Sequence, residues 1–192
     1  KENFSLDYEI SLASDGDIGL NIALAEVPDI VISDIAMERM DGLTLCKKLK
    51  SNIATSHIPI ILLTARTAVD YKMEGYDLGA NAYVTKPFNM ELLKKQVINL
   101  LAYREILKTK YFSLPSPAPD HATGEKKYEP SMPLEEALDQ KFMDEFVRIV
   151  ESKMDDSELT IDDIAKEMYM SRIQVYRKVK ALSGQTPNVF IR

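Results

Sequence analysis

A chain of 192 residues is long enough for two small domains, and a hydrophobic content of 45% with 28% charged residues is typical of globular protein. No apolar run approaches the roughly 18 residues of a membrane span, so no membrane contact is expected of this segment. A single cysteine excludes an internal disulfide framework and favours the cytoplasm. The net charge of −6 argues against a protein that coats nucleic acid along its whole length.

The first 110 residues alternate short apolar segments with helical patterns. Strands that alternate with helices imply crossover connections and a parallel sheet of the doubly wound α/β type. The strands are uniformly apolar, as expected when helices cover both faces. The predicted strands are 8–13, 30–32, 58–63 and 82–85, and the predicted helices are 18–26, 42–50, 69–78 and 90 to about 107.

The composition changes at residue 111. Five prolines stand among serine, glycine and charged residues up to residue 133, which predicts a linker over 111–133. Apolar residues at helical spacing begin again at Leu134. We therefore predict one domain over 1–110 and a second, all-α domain over 134–192.

Two capping-box patterns mark helix starts in the second domain. Thr160 with Asp163, and Ser171 with Gln174, each place a hydroxyl three residues before a side chain that can reach back. The two short helices that follow are joined through residues 169–170. This arrangement is typical of a helix-turn-helix, although a plain helical hairpin has the same pattern.

Polar side chains stand at the ends of three predicted strands. Asp34, Thr64 and Lys86 follow successive strands, and the carboxyl ends of parallel strands meet at one edge of a sheet. A carboxylate can attack phosphorus, a hydroxyl can donate to a phosphoryl oxygen, and an ammonium can offset the charge that accumulates. Each residue alone has a plainer explanation as a turn residue, a strand-end hydroxyl or a solvated cation. Together they predict an acyl-phosphate site.

Several short motifs surround these three residues. The first motif comprises Ser33, Asp34, Met37, Met40, Asp41 and Gly42, and the second comprises Leu63, Thr64 and Ala65. The third comprises Gly79, Ala80, Asn81, Ala82 and Tyr83, and the fourth comprises Lys86, Pro87 and Phe88. In this order and spacing, residues 1 to about 108 resemble the receiver domains of two-component response regulators. The resemblance implies that Asp34 accepts phosphate from a histidine kinase and that Thr64 and Lys86 bind the phosphoryl group. It also implies that Tyr83 is an aromatic switch and that the Lys86–Pro87 peptide is cis.

The resemblance further implies a Mg²⁺ site made by Asp34, the carbonyl of Ala36 and an acid pair that ends the first strand of the family. Residues 1–6 resemble the end of the helix after that strand, so the strand, most of the helix and the acid pair are absent from this sequence. Glu38 also stands directly after Met37, where the receiver family usually has proline. We expect Asp34 to be phosphorylated in the intact protein, whereas this chain should label poorly with acetyl phosphate, because Mg²⁺ loses two carboxylate ligands.

The end of the chain is basic. From Ser171 onward there are five Lys and Arg residues and no acidic residue, which marks a candidate anion-binding face, although a solvated helix face has the same charge. Val175, Val179 and Leu182 are expected to face the core of the second domain. The candidate DNA-contacting residues are Arg172, Ile173, Gln174, Tyr176, Arg177 and Lys180.

Residues 159–165 and 171–187 resemble the first half of an AraC-type DNA-binding domain, although Tyr169 replaces the usual glycine of the turn and the second half is absent. A receiver followed by this domain resembles the C-terminal end of hybrid two-component regulators. In those proteins one polypeptide carries a sensor, a kinase, a receiver and a DNA reader. The resemblance implies double-stranded DNA as a partner, and it leaves open a full-length protein that is anchored in the inner membrane.

A homodimer is also expected, through the face of helix 69–78, strand 82–85 and the helix from residue 90. Leu93, Val97, Leu100 and Leu107 recur at four-three spacing, which indicates either a short coiled coil or packing on the sheet.

The predicted function is that of a phosphoacceptor and DNA-binding regulator rather than an enzyme, apart from a kinase domain elsewhere in the full-length protein. One alternative is a receiver that acts as a phosphorelay or interaction module without DNA binding. Another is an aspartyl-nucleophile phosphatase, but such enzymes carry a second Asp two residues after the first, where this chain has Ala36.

Overall fold

The structure, a computed structural model, describes residues 4, 7–65, 79–112, 134–154, 156 and 158–191, which form three strands and seven helices. The strands are β1 Val31–Asp34, β2 Ile60–Thr64 and β3 Ala82–Thr85. The helices are α1 Gly16–Glu26, α2 Gly42–Ser51, α3 Met90–Phe112, α4 Leu134–Ser152, α5 Ile161–Glu167, α6 Arg172–Ser183 and α7 Asn188–Ile191. Among these helices, none is long and apolar enough to cross a membrane.

The three strands form one parallel sheet in the order β1-β2-β3. Val31 lies opposite Ile60, and Ile61 lies opposite Ala82. Helix α2 joins β1 to β2, which is the crossover connection that parallel neighbours require. The predicted parallel sheet is confirmed for these three strands.

The prediction of a strand over residues 8–13 is wrong. These residues form no strand, and the Tyr8 amide instead donates to the Phe4 carbonyl at 3.1 Å in a turn. Among the described residues the sheet consists of β1, β2 and β3 alone, and none of these strands pairs with this segment. A segment without a neighbour cannot satisfy its backbone groups as a strand, so its β-favouring composition is overruled.

Apolar side chains cover both faces of the sheet. Ile60 and Leu62 of β2 pack against Leu49 and the rest of α2 on one face. Ile61 points to the other face, where it packs against Leu93 of α3. Because successive strand residues point to opposite faces, one strand supplies both core clusters. The sheet is therefore covered on both sides, as its uniformly apolar strands predict.

Helix α3 differs from its prediction in length and in packing. It continues to Phe112, so the first two residues of the predicted linker are helical. Leu93 and Val97 are 3% and 2% exposed and pack on the sheet, which corrects the coiled-coil interpretation of their spacing. The side chain of Leu107, the predicted helix 69–78 and residues 113–133 lie outside the described residues.

Helices α4 to α7, called here the C-terminal helical unit, have an apolar core of their own. Phe142, Phe146 and Ile149 of α4 are fully buried against Ile164 of α5 and Val175 of α6. Their spacing of three to four residues forms one face of α4. Fully burying each of these side chains stabilises the fold by about 1.5–3 kcal/mol. The predicted amphipathic pattern is confirmed.

Both predicted capping boxes are present. The Thr160 hydroxyl accepts from the Asp163 amide at 3.3 Å, and the Asp163 carboxylate accepts from the Thr160 amide at 3.2 Å. Ser171 and Gln174 make the same two bonds at 3.2 and 2.9 Å. Between the two helices Tyr169 has a left-handed φ of 54°. The caps fix where α5 and α6 begin, and the turn at Tyr169 separates the two helices.

Candidate functional site

The carboxyl ends of the strands bring three polar residues to one edge of the sheet. β1 ends at Asp34, β2 ends at Thr64, and Lys86 directly follows β3. The Lys86 amide donates to the Thr64 carbonyl at 2.7 Å, and the Lys86 ammonium donates to Asp34 Oδ2. The strand ends thus hold a carboxylate, a hydroxyl-bearing residue and a cation at the same edge.

The Asp34 carboxylate is held on two sides and remains open to solvent. Its Oδ1 accepts from the Ala36 amide at 3.2 Å, and its Oδ2 pairs with Lys86. The side chains of Asp34 and Lys86 are 32% and 38% exposed, so a phosphoryl donor can reach both. Since an ion pair this exposed contributes only about 0–1 kcal/mol, Lys86 can exchange the carboxylate for a phosphoryl oxygen at little cost.

The backbone after Asp34 folds back tightly. A Cβ on Gly42 would lie 2.1 Å from the Asp34 carbonyl oxygen, so only glycine fits there. The Gly42 amide donates to the Ile35 carbonyl at 3.0 Å, and Asp41 caps α2 by accepting from the Thr44 amide at 2.7 Å. The Asp41-Gly42 pair of the sequence motif therefore anchors α2 directly beside Asp34.

Mg²⁺ requires near-octahedral oxygen ligation, usually with carboxylates and waters. The ligands expected on this chain are the Asp34 carboxylate and the Ala36 carbonyl. The described residues contain no group of three or more His, Cys, Asp or Glu side chains that could hold a metal ion. One carboxylate and one carbonyl do not fit a Mg²⁺ site by themselves.

Tyr83, the expected switch residue, lies on the strand that leads to Lys86. It is half-buried and packs against the cluster between the sheet and α2. The Lys86–Pro87 peptide that follows β3 is cis, as the resemblance implies. The strand β3 therefore carries the switch candidate Tyr83 and leads directly to the phosphoryl-binding candidate Lys86.

Helix α6 presents its polar residues at different depths. The expected DNA-contacting residues that are exposed are Arg172, Ile173, Arg177 and Lys180, and those that are half-buried are Gln174 and Tyr176. Arg172 pairs with Asp162 at 3.3 Å on the surface. Val175 and Val179 are fully buried, as the spacing predicts. One side of α6 thus faces the core while another carries cations.

Two of these candidates contact the sheet domain. The Gln174 side-chain amide donates to the Leu24 carbonyl at 2.8 Å, while its oxygen closes the cap with Ser171. The Arg177 guanidinium donates to the Val27 carbonyl at 3.4 Å. Both side chains are therefore occupied in this conformation.

Lys178 does not belong to the exposed basic face that its charge suggested. It is fully buried and donates to Ser56 Oγ and Asp139 Oδ1, both at 2.7 Å, and to the Ile53 carbonyl. Burial lowers the pKa of Lys178, whereas the Asp139 carboxylate acts in the opposite direction. The sequence did hold a signal for this, because Lys178 stands three residues after Val175 and so on the inner face of the helix.

Comparison with known proteins agrees with this parallel sheet and its helices. Residues 3–98 match the family model of the response regulator receiver domain. A receiver domain protein from Clostridium thermocellum, whose structure is solved, is 26% identical with a TM-score of 0.51, covering 56% of this chain and 86% of that chain.

Two curated relatives match over different lengths. Histidine kinase P4 of Formosa agariphila is 35% identical over 186 residues, which are 97% of this chain and 13% of that protein. The DNA-binding dual master transcriptional regulator RpaA of Synechocystis sp. is 36% identical over 94 residues, which are 49% of this chain and 39% of that protein. The chain thus spans less than half the length of either relative. Because the family model matches half of its residues, the chain belongs to the response regulator receiver domain family.

Proposed function

We propose that this chain is the output end of a two-component regulator, in which phosphotransfer from a histidine kinase to Asp34 controls DNA binding by the C-terminal helical unit. The observation that carries the proposal is the meeting of Asp34, Thr64 and Lys86 at the carboxyl edge of a parallel sheet. A solvent-accessible carboxylate beside an ammonium, with a hydroxyl-bearing residue at the end of the neighbouring strand, is the set that an acyl phosphate needs.

Phosphotransfer is an in-line displacement at phosphorus. One carboxylate oxygen of Asp34 forms the new P–O bond while the N–P bond of the phosphohistidine breaks, and the imidazole nitrogen keeps that electron pair. Lys86 moves from the carboxylate to a phosphoryl oxygen, and the Thr64 hydroxyl donates to another. Tyr83 reorients as these contacts form and carries the change to the surface. A Mg²⁺ ion would need carboxylates beyond the described residues.

Phosphate analysis of the intact protein tests the acceptor. After incubation with the phosphorylated kinase domain, the wild type should gain one acid-labile phosphate on Asp34, detected by a mobility shift on a phosphate-binding gel. Asp34→Asn should abolish the shift, because an amide is not a nucleophile. Asp41→Asn is the matched control, since Asn also caps a helix, and it should keep the shift. Phosphate on the Asp34→Asn protein would refute the assignment.

The C-terminal helical unit supports the DNA-binding half of the proposal. Helices α5 and α6 are short, meet at the Tyr169 turn, and resemble a helix-turn-helix with α6 as the recognition helix. Arg172 and Arg177 are exposed on α6, and Arg can bridge two acceptors on guanine or phosphate. We assign the unit to the first half of an AraC-type domain. The match to histidine kinase P4 over 97% of this chain supports a hybrid regulator that contains both modules.

A phosphorelay or interaction module without DNA binding is the second candidate. The observation that favours it is the contact of Gln174 and Arg177 with the sheet domain, which occupies two of the expected reading residues. An intact protein that is phosphorylated on Asp34 and binds no DNA in either state would support this candidate over the first.

A further inference from the structure

The two capping boxes of the C-terminal helical unit fix the places from which two oppositely charged side chains project. Thr160 caps α5 and Ser171 caps α6, and both hydrogen bonds of each box are present. Asp162 lies in the first turn of α5, and Arg172 is the first residue of α6. The Arg172 guanidinium donates to Asp162 Oδ2 at 3.3 Å. The pair therefore links the starts of the two helices.

This ion pair does little for the stability of the fold. The side chains of Arg172 and Asp162 are 64% and 50% exposed, and solvent weakens a pair that is this exposed. Neither residue belongs to a capping box or to the apolar core of the C-terminal helical unit. Stability therefore gives little reason for an acid beside Arg172.

On DNA, the position of Asp162 is electrostatically unfavourable. The N-terminal residues of a recognition helix contact base edges, so a carboxylate paired with the first residue of α6 would lie close to the duplex. A negative charge there repels the phosphates and lowers the affinity for DNA of any sequence. The neighbouring Asp163 is needed for the cap of α5, whereas Asp162 is not. The repulsion is offset if the Asp162 carboxylate improves recognition by Arg172.

Arg172 differs from the other cations that are expected to contact DNA. Among the described residues, Arg172 pairs with a carboxylate, whereas Arg177 and Lys180 do not. A guanidinium has five N–H donors, and Asp162 takes one of them, which leaves donors for the O6 and N7 acceptors of guanine. An arginine without such a partner can turn toward a phosphate, and that contact carries no sequence information.

We propose that Asp162 is a positioning residue, which holds the Arg172 guanidinium in the orientation that reads one guanine and keeps it away from the phosphates. The inference rests on the proposed function of α6 as a recognition helix. Arginine bridges two acceptors only when its plane is aligned with them, so fixing one edge of the guanidinium preserves discrimination between bases. Asp162 thus lowers the general affinity for DNA and raises selectivity at one base pair.

Substitution of Asp162 tests the inference in the intact, phosphorylated protein. Fluorescence anisotropy at one fixed salt concentration would measure binding to a DNA site selected with the wild type, to versions of that site with each base pair replaced in turn, and to unrelated DNA. Asp162→Asn removes the charge and keeps the size of the side chain. The affinity for unrelated DNA should rise about twofold, because one repelling charge is lost. Discrimination should fall about fivefold at one base pair and remain unchanged at the others.

Glu158→Gln is the matched control. Glu158 is an exposed acid that precedes α5, the charge change is the same, and its carboxylate makes no ion pair with Arg172 among the described residues. This variant should keep full discrimination at every base pair.

A double-mutant cycle separates positioning from a merely structural role. Arg172→Ala should lose discrimination at the same base pair as Asp162→Asn, and adding Asp162→Asn to Arg172→Ala should reduce it no further. A loss in Asp162→Asn that is equal at all base pairs, or that persists when Arg172 is absent, would overturn the inference.

The remaining outcomes distinguish this inference from the proposed function. Full discrimination in Asp162→Asn, or in Arg172→Ala, would overturn the positioning role and leave DNA binding by the C-terminal helical unit intact. A wild-type protein that binds no DNA in either phosphorylation state would refute the proposed DNA-binding function, and with it this inference.

Discussion

At the residue scale, two lysines show how burial decides what an ion pair can do. Lys86 and Asp34 are each about a third exposed, so their pair contributes only about 0–1 kcal/mol and can rearrange around a phosphoryl group. Lys178 is fully buried among three acceptors, and cutting such a cation off from its partner costs about 3–5 kcal/mol. The exposed pair of Lys86 and Asp34 can therefore rearrange, whereas the buried contacts of Lys178 hold the C-terminal helical unit against the sheet domain.

Tyr169→Gly should stabilise the C-terminal helical unit by about 1 kcal/mol. Its φ of 54° costs a residue with a Cβ about 1–2 kcal/mol and costs glycine little, and the ring is 97% exposed, so few contacts are lost. Denaturant unfolding would measure the gain. Tyr169→Ala, which removes the ring and keeps the Cβ, is the matched control and should show none. Equal gains in both variants would assign the effect to the ring instead of the backbone.

The strand-end residues were predictable, and the interface residues were not. Asp34, Thr64 and Lys86 follow apolar β-branched segments, and the geometry of a parallel sheet brings such ends together whatever the rest of the chain does. The contact of Gln174 with Leu24 joins residues 150 positions apart. It depends on how two separately folded cores meet, and no local pattern in the sequence encodes that.

At the scale of elements, the sequence predicts a helix or strand correctly where the residues that stabilise it lie within the same short segment. The boxes that start α5 and α6 were predicted because both partners of each bond lie within four residues. The strand expected over residues 8–13 was wrong, because no strand among the described residues lies beside it to share backbone hydrogen bonds. The spacing of Leu93 and Val97 in α3 is compatible with packing against a second helix and with packing against a sheet. In the structure both side chains pack against the sheet.

His57, which lies between α2 and β2, should make the free energy of unfolding depend on pH. Both ring nitrogens are buried without a hydrogen-bond partner among the described residues. Burial lowers the pKa of His57 well below 6.5, and the nearby charges of Arg104 on α3, Lys178 on α6 and Lys50 on α2 act in the same direction. The unfolded chain therefore binds a proton below pH 6.5 that the folded chain does not, so the free energy of unfolding falls as the pH drops below that value.

His57→Leu should remove this dependence. Urea unfolding at pH 8 and at several values down to pH 5 would measure it, and the slopes of stability against pH should differ between the proteins by at most about 1.4 kcal/mol per pH unit, the limit for one proton. The variant should lose less stability than the wild type below pH 6.5. Parallel curves for the two proteins would contradict the assignment of the buried, neutral imidazole.

At the scale of the whole molecule, the proposed phosphorylation site and the contact with the C-terminal helical unit lie at opposite edges of the sheet. Asp34, Thr64 and Lys86 lie at the carboxyl ends of the strands, and the contacts of α6 with Leu24 and Ile53 lie at the opposite ends. The first edge lies within residues 3–98, which match the receiver family model. At the second edge the receiver contacts its C-terminal helical unit through α6, the helix proposed to read DNA.

The measurement that tests this account most directly is the DNA affinity of the intact protein with and without phosphate on Asp34, by fluorescence anisotropy at one fixed salt concentration, on a DNA site selected with the phosphorylated protein. Phosphorylation should raise the affinity of the wild type at least about tenfold, which corresponds to about 1.4 kcal/mol. Asp34→Asn should remain at the unphosphorylated value after the same treatment with the kinase. Equal affinities of the wild type in both states, or a rise in Asp34→Asn, would contradict the account.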